Sequence, residues 1–262
     1  MIENLLENMI EKIIEDYFRT YEIEPINVRY LITEDMSKSY LENCSVYAQK
    51  DVRDIQNINQ YNGIIVPNED YKEKFTILLN KKYVEDCIKN NVPNLVGTIV
   101  HELTHIIDYL KYASMIKETS FENIFSIDKN AMFQLWSEFN AKVKGYYFVR
   151  KYSFENMFDY SQIEGIVDRE LPYQYNFLEE KWNSTDDGIQ QAYYLVHYIG
   201  RLYALQLIFP EYFKDEMIKE LLPDYEWVYE WYLFLKCNDK LENVYIRFEE
   251  MKDILRKWFI GL

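Results

Sequence analysis

Two histidines stand four residues apart, with a glutamate directly after the first, in His101-Glu102-Leu103-Thr104-His105. On an α-helix, positions i and i+4 lie one turn apart on the same face. Both imidazoles can then offer a nitrogen to one zinc ion. Glu102 lies about 100° round the helix from His101. That places it beside the metal, where it can take a proton from a zinc-bound water. The chain holds only three histidines in 262 residues, so two of them at ligand spacing is a pointed use of a scarce residue. On a surface helix the same pair would be incidental, so the helical setting decides.

That setting is legible. Asn91-Val92-Pro93-Asn94 offers N-cap residues and a first-turn proline. The periodicity predicts a helix from there to about Ala113. Leu95, Val96, Ile99, Val100, Leu103, Ile106, Ile107 and Leu110 make its apolar face. Thr98, His101, His105, Asp108 and Tyr112 fall opposite.

A catalytic zinc usually has three protein ligands and one open position. Asp108 shares the histidine face, but a straight helix sets it roughly 10 Å beyond His101. It suits a hydrogen bond to a ligand histidine better than ligation. Glu122 lies in a connector without pattern. Glu138 falls on a returning helix, with Ala131, Ala141 and Gly145 on the same face. Small neighbours let a short carboxylate arm approach a metal, so Glu138 is the expected third ligand and Asp108 the alternative. His197 sits on a further helix whose face carries Tyr193, Tyr194, Gly200, Arg201 and Ala204. His197 and Tyr194 are read as donors to the oxyanion of a tetrahedral intermediate, on the side opposite Glu138. The bland alternative for His197 is a core histidine among packed tyrosines.

The elements around these residues follow from pattern. Residues 2–19 predict an amphipathic helix. Residues 26–32, 64–66 and 75–79, with a weaker segment at 45–49, predict a small sheet of three to five strands, and Asn62-Gly63 reads as a turn. Helices are expected at 130–152, 187–209, 211–222, 225–235 and 241–260. The fold class is therefore α+β. Residues 1–115 form a half with the sheet and the histidine helix. Residues 116–262 form a helical half that supplies the third ligand and the far wall of a cleft. A sheet edge beside the histidine helix could take an extended peptide by strand addition.

Composition excludes several classes. A net charge of −15 argues against nucleic acid as a partner. No apolar run reaches membrane-spanning length, and the first residues carry no basic segment of the kind that opens a secretory signal. Cys44, Cys87 and Cys237 are odd in number and lack C-x-x-C spacing, which fits reduced thiols in the cytoplasm. The Ile, Asn, Lys and Tyr bias suggests an AT-rich bacterial or phage genome.

The His101–His105 motif followed by Trp136-Ser137-Glu138-Phe139-Asn140-Ala141 resembles the gluzincin metallopeptidases. Within them it is most similar to the ImmA/IrrE-type peptidases, over at most about residues 60–152. The resemblance implies a zincin-like fold, one Zn2+ ion, and hydrolysis of a peptide bond in a protein or peptide substrate. It implies His101, His105 and Glu138 as ligands and Glu102 as the base. The helical C-terminal part has no counterpart in it. A competing class is a catalytically silent zincin-fold binding or regulatory module of a phage or mobile element. Glu102 argues against that class, because a structural site needs no base and takes a fourth protein ligand.

Overall fold

Strand β3, Phe75–Asn80, is buried along nearly its whole length, and the N-terminal part of the chain is built on it. The computed structural model describes residues 2–44, 55–68, 74–118, 120–125, 127–153 and 162–257. These are mostly helical with one three-stranded sheet, an α+β arrangement. The chain divides into two compact units, Met1–Lys129 and Asn130–Leu262.

In the first unit, β1 (Arg29–Thr33) runs parallel to β3, and β2 (Gly63–Pro67) runs antiparallel to it on the other side. β1 begins at Arg29, opposite Thr76, whereas the sequence pattern starts at Ile26. A strand can extend only as far as its partner, and β3 starts at Phe75. The expected segment at 45–49 lies outside the described residues.

Side chains alternate across the sheet. Leu78 and Val66 point to one face, where Met36, Tyr40, Cys44 and Ile58 complete a cluster. Met36 and Tyr40 come from helix α2, Met36–Asn43, capped by Asp35, whose carboxylate accepts from the Lys38 amide. The opposite face, with Ile65, Ile77 and Leu79, belongs to helix α4, Val92–Ile116. Between β3 and α4 runs helix α3, Lys81–Asn90, capped by Asn80. Helix α1, Ile2–Thr20, also packs on α4. Its Tyr17 is fully buried, with its hydroxyl near Thr104 and Asp108. At the other end of α4, Tyr109 stacks on Phe125 of helix α5, Phe121–Phe125, at 4.3 Å. α4 is thus enclosed on several sides. Of its expected polar row, His105, Asp108 and Tyr112 are buried and Thr98 and His101 half-buried; Glu102 and Thr104 beside them are buried as well.

The second unit is helical. α6 is assigned Ile127–Ser153, and the backbone leaves helical geometry at Asn130, where the two units divide. α7 (Ile163–Gly165), a π-turn (Ile166–Glu170) and α8 (Leu171–Asn183) run on continuously. α9, Gly188–Ile208, is capped by Asp187, which accepts from the amides of Ile189 and Gln190. Shorter helices follow: α10 (Asp215–Leu221), α11 (Glu226–Cys237), α12 (Leu241–Tyr245) and α13 (Phe248–Arg256). The single helix expected at 241–260 is broken at Ile246-Arg247, where Ile246 is 80% exposed. Trp136 of α6 donates to the Asn238 carbonyl at the end of α11, 2.8 Å away.

The π-turn carries Glu170 to the buried Arg150 guanidinium of α6, and Tyr146 bonds to both. Arg201 of α9 is also close to Glu170 and Tyr146, and burial lowers its pKa. Glu170 is thus the ion-pair partner of Arg150, with Arg201 near by. Removing one partner of such a set leaves a buried charge uncompensated. Glu170→Ala is expected to cost about 3 kcal/mol in chemical denaturation, and Glu170→Gln less, because it keeps an acceptor. A Glu170→Ala protein as stable as wild type would show that Arg150 draws its compensation elsewhere.

Candidate metal centre

α4 presents His101 and His105 one turn apart, as i, i+4 spacing requires. Their Nε2 atoms converge to 3.1 Å, with the rings at 89° and centroids 4.6 Å apart. A tetrahedral zinc with bonds of about 2.05 Å holds two nitrogens about 3.3 Å apart.

On α6, Glu138 turns one carboxylate oxygen to His197 of α9, with Nε2 2.9 Å from Oε2. The α6–α9 packing behind this contact is tight. A Cβ on Gly200 would stand 2.9 Å from Lys142 Cβ and 3.2 Å from the Phe139 carbonyl oxygen. One turn further on, Phe139 stacks on Tyr203 at 5.6 Å. Desolvation, helped by the Lys142 ammonium, pushes His197 down to about 4, against the pull of the Glu138 carboxylate. By distance alone the pair counts as an ion pair. With the ring neutral near pH 7 it is a hydrogen bond, Nε2–H donating to the carboxylate.

One nitrogen each from His101 and His105 and one carboxylate oxygen of Glu138 all lie within 4.8 Å of one another. Among the described residues this is the group of His, Cys, Asp and Glu that could hold a metal ion. Two imidazole nitrogens and a carboxylate oxygen form a donor set that zinc accepts, with room for a fourth ligand. Asp108, the alternative third ligand, is not in the group and is buried near Tyr17.

The remaining expected residues fall as follows. Glu102 is 7% exposed, one turn after Thr98 on α4, and its side chain lies against Gly63 at the start of β2. His197 was expected opposite Glu138, yet it bonds to it. The ring lying against His197 is Tyr193, at 4.4 Å. Tyr194 meets Tyr193 edge-on at 5.7 Å. Two neighbours escaped sequence reasoning. Asn62-Gly63 reads as a turn in the sequence, and no pattern marks Lys142.

Comparison with protein-family models, with curated proteins and with solved structures finds no match for this chain.

Proposed function

We propose that the protein is a zinc-dependent metallopeptidase acting on a protein or peptide substrate. The observation that carries this reading is the convergence of His101, His105 and Glu138, with Glu102 the residue that follows His101. His101 and His105 would hold zinc through their Nε2 atoms and Glu138 through a carboxylate oxygen. Zinc, when bound, would supply Lewis acidity and bring a water molecule near neutrality in pKa. The rest of the chemistry falls to the chain. Glu102 accepts the proton of the water that attacks the peptide carbonyl carbon, and returns a proton to the leaving amine. Burial strengthens its interactions and excludes bulk water.

The substrate would lie along the outer edge of β2. Asn62 and Asn68 bond inward to β3, through the Asn62 carbonyl and the Asn68 amide. Backbone groups alternate along a strand, so those of Gly63, Ile65 and Pro67 point outward. Gly63 and Ile65 can both donate and accept there, while Pro67 can only accept. An extended peptide added at this edge would pass Glu102 where the strand begins.

His197 is assigned here to positioning. Its bond to Glu138 fixes one carboxylate oxygen and leaves the other for the metal, as partners of metal ligands do. Native mass spectrometry of the purified protein should show one zinc per chain. His197→Ala should weaken zinc binding about 10–100-fold, the usual cost of losing such a partner. A wild-type protein that takes up no zinc would overturn the proposal. A His197→Ala protein with unchanged affinity would return His197 to the role of packing residue.

A further inference from the structure

We infer that Gly63 is a positioning residue for Glu102, and that its missing side chain is what seats the carboxylate; this rests on the metallopeptidase reading. Gly63 does not have the positive φ that would call for glycine. It is the first residue of β2, paired with Leu79 in ordinary register. Its conformation therefore gives no reason for glycine, and space does. A Cβ here would stand 2.9 Å from Thr98 Cγ2, 3.3 Å from Glu102 Cγ and 3.4 Å from Glu102 Oε1. Strand parity agrees, since Gly63 shares the α4-facing side of the sheet with Ile65 and Leu79.

The crowding cannot be relieved evenly. Thr98 is braced, because its Oγ1 is 2.8 Å from the Tyr83 hydroxyl, which is also 3.0 Å from the Asn94 carbonyl. A β-branched residue tied in this way has no free rotamer to retreat to. The 2.9 Å contact with the braced Thr98 is thus a cost in packing, while the contacts at 3.3 and 3.4 Å fall on Glu102, which has no branch at Cβ and gives way. A Cβ at position 63 would then push the Glu102 carboxylate aside by a few tenths of an ångström, while the histidines of α4 stay in place.

Acetohydroxamate supplies a readout independent of turnover. It chelates zinc, and its hydroxyl donates to a carboxylate beside the metal. The zinc-loaded Gly63→Ala protein should retain its metal yet bind acetohydroxamate about tenfold more weakly or worse, the size of a lost charge-assisted hydrogen bond. In a Glu102→Gln background the same substitution should change the affinity little, because the residue it acts through has been altered. Thr98→Ser removes the crowded methyl and keeps the hydroxyl on Tyr83. Added to Gly63→Ala, it should restore the melting temperature but not the affinity. This double variant also serves if Gly63→Ala alone folds poorly. The inference is overturned if Thr98→Ser restores both, or if Gly63→Ala weakens the hydroxamate equally without Glu102. Absence of zinc from the wild type would overturn the metallopeptidase reading and this inference together, before any variant is made.

Discussion

Glu102→Gln is expected to abolish peptide hydrolysis while the protein keeps its zinc. Glutamine matches glutamate in length and shape, so the contact with Gly63 survives. What disappears is the ability to accept a proton. A positioned general base contributes roughly 10²–10⁴-fold to turnover. A quenched-peptide library read out on zinc-loaded wild type and variant should show a fall in that range. Zinc content should stay at one per chain, since Glu102 is outside the group that could hold the metal. The substitution also replaces a charge at 7% exposure by a neutral amide. Burying a carboxylate is costly, so the variant should melt no lower than wild type. A variant that cleaves at the wild-type rate would place the base elsewhere.

The second large effect is on the metal. Glu138→Ala should lower zinc affinity well beyond the about 10–100-fold expected for loss of a ligand's hydrogen-bond partner. It removes a donor outright and leaves two imidazoles. It also removes the acceptor of the hydrogen bond that the neutral His197 ring donates from Nε2. Glu138→Gln separates the two losses. Its amide oxygen can still accept from His197, but it is a far weaker zinc ligand, so its affinity should fall close to that of Glu138→Ala. Competition with a chromophoric chelator measures all three proteins on one scale. If Asp108→Ala loses zinc and Glu138→Ala keeps it, the ligand assignment is wrong.

How much of this was legible beforehand varied with the range of the interactions. The histidine pair was readable because i, i+4 spacing is a local property of the helix that carries it. Glu138 was readable because few carboxylates downstream sit in a helical pattern among small residues. Its bond to His197 was not, because the contact depends on how α6 and α9 settle against each other. Gly200 is the clue that the sequence did contain. It shares a helix face with His197, and the structure uses it for close helix packing against Lys142 and the Phe139 carbonyl. The place of Gly63 is hidden in the sequence for a related reason. Asn-Gly is a turn signal, and only the register of β2 shows that the glycine belongs to the strand. α2 and α3 are short, and their ends are set by the side-chain caps of Asp35 and Asn80 more than by an apolar stripe.

The outer edge of β2 has a consequence for how the protein behaves when it is crowded. A strand that can welcome a guest chain can also welcome another copy of itself, and open edges are where intermolecular sheets begin to grow. β2 runs only five residues, and its last outward position is Pro67. Since proline brings no amide hydrogen, the row of outward donors stops after Gly63 and Ile65. Two donors can fasten a short peptide that is also gripped elsewhere, but they give a neighbouring molecule little to build on. A proline that would shorten the edge proposed for the substrate would thus also guard against runaway self-association.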